Sequence, residues 1–338
     1  MGYCINSSTF LSTPEFQKLT LHYLGFVAIP VHVFGAYCIL CKSPVTMNSV
    51  KWNLFNFHFW NCFCDLMFSL LVTPYMLFPA FAMKPLGFLS FLGAGGAEQL
   101  FMIVAVIAIV LVSVIALFEN RLLVLLDRDH WWRSYRIYWL SLDYLVAILC
   151  FVPFYIILPD HKVAVDFFLN RWTCAPQYIN LDDVFFVATE TRFSIRTISA
   201  IVVFFFIQIF VFHVLISKVL KKQIVRHVSN NTAKLQQKFQ KALLLQLLIP
   251  VIIVMFPLVY LAFSNWFWFH YQYMNNICMI ILSSHGFLST IVMVLVHGPY
   301  REFAKSLTSS FGTRIAHVNL SSIMQRGRLS DGPTRISV

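Results

Sequence analysis

Long apolar stretches alternate along this chain with short polar connections, many of them basic. Seven stretches reach about 20 residues, the length a helix needs to cross the hydrocarbon of a bilayer. They run Leu19–Leu40, Leu54–Ala80, Leu100–Leu117, Ile137–Leu158, Ile198–Leu220, Ala242–Phe263 and Tyr273–Val296. Each is too long and continuous for a strand pattern. In lipid every backbone polar group needs an internal partner, so helices are the expected form. The prediction is an all-α membrane protein, a bundle of seven transmembrane helices. The third stretch is the least interrupted, and the second is the longest and most polar. Residues 1–18 form an N-terminal segment, 19–299 the transmembrane domain and 300–338 a tail. No repeat, low-complexity block or room for a second folded domain is seen. "MGYCINSSTF" lacks a basic leader region, so the first span is expected to direct its own insertion.

Composition fits this picture. Of 338 residues, 59% are hydrophobic and 12% charged, against a usual charged share of about 25%. The net charge of +11 could indicate nucleic acid, but its distribution points to a membrane surface instead. Nineteen Lys and Arg fall in the first, third and fifth connections and the C-terminal tail, and six on the opposite side. Basic residues mark the cytoplasmic face, which puts the N-terminus outside and the C-terminus inside. Asn6, in an Asn-x-Ser sequon, is then an extracellular glycosylation site, whereas Asn230 and Asn319 face the cytoplasm. The third cytoplasmic connection carries seven basic residues between Lys218 and Lys241 and no acid. That suits a docking surface near anionic lipid, and equally a simple topological anchor.

Polar groups inside spans are costly and therefore candidates for function. His58, Asn61, Asp65 and Ser69 share one face of the second helix. Asp65 lies 13 residues beyond Trp52, roughly 20 Å at 1.5 Å per residue, close to mid-membrane. It could hold a cation or join an interhelical network with Ser283, Ser284, His285, Ser289 and Thr290 of the seventh span. Asp143, near the cytoplasmic headgroups, is expected to meet a basic loop residue. Pro30, Pro74, Pro153, Pro250 and Pro257 lie within spans and should bend them.

The stretch "SVIALFENRLLVLLDRD" (113–129) turns polar at Glu119, Asn120 and Arg121, at the cytoplasmic end of the third span. This position resembles the acid–arginine signature of rhodopsin-like G-protein-coupled receptors, with Asn120 inserted between the two charges. Residues two apart on a helix do not face each other, so Glu119 is not the expected partner of Arg121. The bland alternative is an arginine snorkelling to anchor a helix end. A wider resemblance runs through "TPEF" (13–16), "IPVHVFGAYCILCKSPVTMNSVKW" (29–52), "HFW…DLMFSLLVTPYMLFP" (58–79), "LFENR" (117–121), "IILPDH" (156–161), "LQQKFQKALLLQLLIP" (235–250) and "SSHGFLSTIVMVLVHGPYR" (283–301). Over about residues 10–305 the chain resembles nematode serpentine receptor class H chemoreceptors. That resemblance implies a receptor for a small environmental molecule on sensory cilia at the plasma membrane, signalling through a heterotrimeric G protein. The seventh span ends in His297-Gly298-Pro299-Tyr300-Arg301 rather than Asn-Pro-x-x-Tyr, so details of the rhodopsin-like switch transfer poorly.

A ligand pocket chosen by depth alone would use Tyr75, Glu98, Gln99, Phe101, Trp266 and Tyr273. No cofactor is expected, and no metal, since the histidines show no ligand spacing. An intramembrane hydrolase using Asp65, His58 and His285, or a seven-helix ligand-gated channel, are the competing readings. The charge distribution argues against the channel, whose N-terminus would be inside. Of eight cysteines, only Cys4 and Cys174 fall in the oxidising exterior. They are expected to form a disulfide across the extracellular mouth, two free thiols being the alternative.

Overall fold

The computed structural model describes residues 9–156, 158–171, 180–188, 191–225 and 230–309. Helix α1 (Pro14–Lys42) begins where Thr13 caps the Phe16 amide at 3.2 Å and Pro14 presets the first turn. Helix α2 (Asn48–Leu66) follows and loosens into a π turn at Met67–Leu71. The second apolar stretch then departs from expectation. Instead of staying helical to Ala80, it forms strand β1 (Pro74–Leu77), paired antiparallel with β2 (Ala82–Pro85). Pro74 cannot donate to a helix ladder and biases its predecessor away from helical geometry; Thr73 leaves the helix in the left-handed region, at φ 47.

After the short α3 (Phe88–Phe91), helix α4 (Gly96–Leu125) crosses the middle of the bundle. Helix α5 (Trp132–Leu149) starts earlier than predicted and breaks before Pro153, with α6 (Val152–Ile156) completing the stretch. Helix α7 (His161–Arg171) and strand β3 (Phe185–Phe186), which pairs with β2, precede the long helices α8 (Thr191–Val225) and α9 (Asn230–Phe267). The seventh stretch is two helices, α10 (Gln272–Ser283) and α11 (His285–Val296), meeting at Ser284. Residues 298–309 continue as a helix.

Among the described residues, α1, α4, the 196–222 part of α8, the 236–267 part of α9 and the α10–α11 pair are long and apolar enough to cross a membrane. Helices α2 and α5 fall short of that measure. Helix α2 carries Lys51, His58, Asn61 and Asp65, and α5 opens on Arg133 and Arg136. Both are nonetheless helices packed on α4. Helix α4 is buried on nearly every side from Ala105 to Leu123, so its apolar residues build the main core. Helices α1, α8 and α9 leave large apolar side chains such as Phe26, Phe210 and Phe256 on the outside of the bundle.

At the end of the bundle where α1 starts, the three strands and α7 enclose a smaller core of Tyr75, Leu77, Ala82, Ala164, Phe168, Val184 and Phe186. We call this the cap end; the opposite, Lys- and Arg-rich end is the basic end. A Lys84–Asp183 ion pair at 3.0 Å ties β2 to the segment before β3. Polar side chains of the seventh stretch grip the cap through its backbone. Gln272 donates to Met76 O at 3.0 Å, Asn275 to Phe78 O at 3.1 Å and Asn276 to Leu11 O at 2.8 Å. His270 also engages Phe78 O at 2.6 Å, and burial lowers its imidazole pKa despite that bond.

Candidate functional site

Three polar or cavity-bearing regions stand out, and the first lies where α1, α2 and α11 meet. Asp65 is 3% exposed. Its Oδ1 accepts from the Gly286 amide at 3.0 Å and its Oδ2 from the Phe287 amide at 2.6 Å. A helix start leaves its first amides without internal partners and carries partial positive charge. Asp65 therefore caps α11 from another helix. His32 Nε2 lies 3.1 Å from Asp65 Oδ2, and His285 Nδ1 lies 3.3 Å from Oδ1. His32 Nδ1 meets Thr290 Oγ1 at 3.1 Å, whose hydroxyl donates to Gly286 O at 2.9 Å.

Close approach of the backbones makes this possible. A Cβ on Gly286 would sit 2.7 Å from both Asp65 oxygens, and one on Gly35 would sit 2.6 Å from Thr290 Cγ2. Small residues at such contacts let helices in a membrane pack tightly.

The sequence-predicted face of α2 is only partly assembled here. Asp65, His285 and Thr290 converge. His58 instead bonds His32 O at 2.9 Å, and Asn61 donates to its own helix at Phe57 O. Ser69 sits in the π turn, where its carbonyl accepts from Thr73 and meets His22 Nδ1 at 2.8 Å. Ser284 donates to Ile281 O, and Ser289 is buried on α11. The residue that sequence reasoning passed over is His32. Its signal was present as a histidine well inside the first apolar stretch, but spacing alone gave it no partner. The proposed hydrolase set of Asp65, His58 and His285 does not come together, because His58 turns to a backbone carbonyl.

The second region is the basic end of α4. Glu119, Asn120 and Arg121 are all buried, and each faces a different helix. Glu119 accepts from Arg136 at 2.9 Å and from the Trp132 indole at 2.8 Å, both on α5. Asn120 donates to Ser49 O at the start of α2, at 2.7 Å. Arg121 donates to Gln236 O of α9 at 3.3 Å. Successive helical residues point about 100° apart, so one triplet reaches three neighbours. Nearby, His297 contacts Gln246 of α9 at 3.2 Å. Tyr300 and Ser43 hydroxyls meet at 2.7 Å, joining the terminal helix to the end of α1. Asp143 does not meet a basic loop residue as expected. It accepts from Gln208 of α8 at 3.0 Å, because that turn of α5 faces the bundle.

The third region is a cleft of about 570 Å³, open mouth included, at the cap end. Helix α4 contributes Ala97, Leu100, Phe101 and Val104, one helical face. Phe151, Tyr155 and Leu158 come from the end of the fourth stretch, with Met76, Phe81, Phe185, Val187 and Ile198 closing the rest. Of the residues chosen by depth, only Phe101 lines it. Glu98 is at its rim, accepting from the Tyr155 hydroxyl at 3.0 Å. Gln99 is buried and bonded to Ala94 O and Ser90, and Tyr75 is buried in the cap, donating to Ser12 O at 2.6 Å. Trp266 is 84% exposed on α9, and Tyr273 packs beside Tyr271 on α10. The break of the second stretch into strands moved Tyr75 out of the position a continuous helix would have given it.

Cys4, Cys174 and Asn6 lie outside the described residues. Cys38, Cys41, Cys62, Cys64, Cys150 and Cys278 are free thiols.

Residues 12–310 match a family model described as serpentine type 7TM GPCR chemoreceptor Srh. The chain is also 26% identical over 314 residues to serpentine receptor class H-72 of Caenorhabditis elegans, covering 90% of this chain and 89% of that protein. A match over nearly the whole seven-helix region, on a chain with this arrangement of apolar helices, places it among multi-pass membrane proteins: the chain belongs to the serpentine class H family of seven-transmembrane chemoreceptors.

Proposed function

We propose that the chain is a G-protein-coupled receptor of the plasma membrane, on the cilium of a sensory cell. A small molecule binds at the cap end, which faces outside, and a heterotrimeric G protein engages the basic end, which faces the cytoplasm. Residues 300–338 form the cytoplasmic tail. The observation that carries this reading is the buried Arg121 guanidinium donating to Gln236 O at the inner end of α9. The contact joins the two helices whose separation would open a cavity at that end, and a charged group with alternative partners is a good switch element. Glu119 stays with Arg136 on α5, which leaves Arg121 able to change partner without uncovering the acid. The nineteen basic residues favour the same orientation.

Orientation is tested by epitope tags. A tag before Thr13 is expected to stain on intact cells, and one after Val338 only after permeabilisation; the reverse pattern would overturn the reading. Within it, Cys4 and Cys174 are the extracellular disulfide pair and Asn6 the glycosylated asparagine. Non-reducing peptide mapping of surface protein is expected to recover the Cys4–Cys174 linked peptides, and a free Cys4 would remove the bridge.

A further inference from the structure

A carboxylate buried inside a membrane-spanning bundle needs a positive partner. Asp65 and His32 are each 3% exposed. A carboxylate offers about four lone-pair sites, and donors already occupy that many at Asp65. They are the Gly286 amide at 3.0 Å, the Phe287 amide at 2.6 Å, His32 Nε2 at 3.1 Å and His285 Nδ1 at 3.3 Å. A metal ion would have to displace one of them.

The direction of the hydrogen bonds then fixes the charge of His32. The Thr290 hydroxyl has one proton and gives it to Gly286 O at 2.9 Å. Its oxygen is left to accept from His32 Nδ1, 3.1 Å away, so that nitrogen carries a proton. Across the ring, Nε2 faces a carboxylate oxygen that already accepts the Phe287 amide and offers only lone pairs, so Nε2 carries a proton as well. A ring protonated at both nitrogens is an imidazolium cation. His285 differs, because its Nδ1 lies between Asp65 and Leu282 O, which requires one proton only. No other charged residue lies within two helical turns of His32, Asp65 or His285 along their helices. Helices α4 and α9, packed on α2 and α11, have none between Glu98 and Glu119 or between Lys241 and Phe267. Beside the pair, α2 adds the titratable side chains of His58, Cys62 and Cys64.

We propose that His32 is the built-in cation of the Asp65 site, a proton on its imidazole standing where a sodium-sized ion would otherwise be bound. Without that proton a net negative charge would be buried among α1, α2 and α11 with no compensating partner. The site therefore binds a proton and takes no metal ion.

The full chain in nanodiscs, labelled with nitrogen-15 histidine, tests the charge directly. At neutral pH the His32 ring, identified by the signals lost in His32→Asn, is expected to show both nitrogens protonated. An unprotonated nitrogen in that ring would overturn the assignment. Thermal unfolding tests the ion. The wild-type midpoint is expected to be the same in sodium chloride and in N-methylglucamine chloride of equal ionic strength, and a higher midpoint in sodium would overturn the proposal. His32→Ala removes the proton carrier and opens space beside Asp65 Oδ2. Its midpoint is expected to fall in N-methylglucamine and to recover in part in sodium; indifference to the salt would overturn the stand-in role of His32. His32→Asn, uncharged and shorter than histidine, gives the same readings where the alanine variant does not fold. None of these readouts involves a G protein, so the receptor reading is tested separately, by tag staining.

Discussion

Asp65→Ala is expected to leave less than about a tenth of the wild-type receptor on the cell surface. The substitution removes the acceptor for the Gly286 and Phe287 amides and for His32 together. Interhelical hydrogen bonds in membranes average only about 0.6 kcal/mol each, so three come to about 2 kcal/mol, roughly thirtyfold in a folding equilibrium. Uncapping α11 and stranding its amides adds to that, since breaking one side of a buried charged contact costs about 3–5 kcal/mol. Asp65→Asn keeps the shape and one acceptor oxygen, but turns an N–H₂ group toward the second amide. Its surface level should fall between the two. Flow cytometry of an N-terminally tagged protein measures this, and wild-type surface levels for Asp65→Ala would show that the network contributes little to folding.

Much of the Asp65 network was legible in the sequence, but the helix cap it makes was not. A carboxylate near mid-membrane on a face shared with His58 and Asn61 marked Asp65, and the polar run from Ser283 to Thr290 marked its partner helix. Spacing could not show that Asp65 would cap a helix start, because no proline marks the break at Ser284 and the stretch is long enough to read as one helix. The second stretch failed for a related reason. Hydropathy reads the same for a buried strand as for a helix, and Pro74, which opens the first strand, reads in the sequence as a kink in a span. Of the pocket residues picked by depth, Tyr75 went into a strand, while Phe101, on the regular helix α4, lines the cap-end cleft. At the basic end the helical geometry of Glu119 and Arg121 predicted correctly that the two do not pair. It could not supply Arg136 and Gln236, which lie 17 and 115 residues away.

Arg121→Ala should abolish ligand-driven nucleotide exchange on the G protein while surface staining stays within about twofold of wild type. The side chain bonds the Gln236 carbonyl rather than the acid beside it, so its removal leaves Glu119 with Arg136. A charge-assisted hydrogen bond contributes about 1.5–3 kcal/mol, partly offset here by the relief of a buried charge. Glu119→Ala makes the informative contrast. It leaves the Arg136 guanidinium and the Trp132 indole without their acceptor, and should lower surface level together with signalling. Parallel losses of signal and surface protein in Arg121→Ala would instead assign Arg121 to anchoring the helix end. Exchange assays on membranes normalised to surface-labelled receptor separate the outcomes.

When a G protein binds, α4 and α9 are expected to part at their basic ends. Spin labels at Val124→Cys and Lys241→Cys, both exposed positions on those helices, report it by pulsed electron resonance on the receptor in nanodiscs. With nucleotide-free heterotrimers covering the main Gα classes, at least one should lengthen the label distance by several ångströms, and excess GTPγS should reverse the change. An unaltered distance with every heterotrimer would contradict the account.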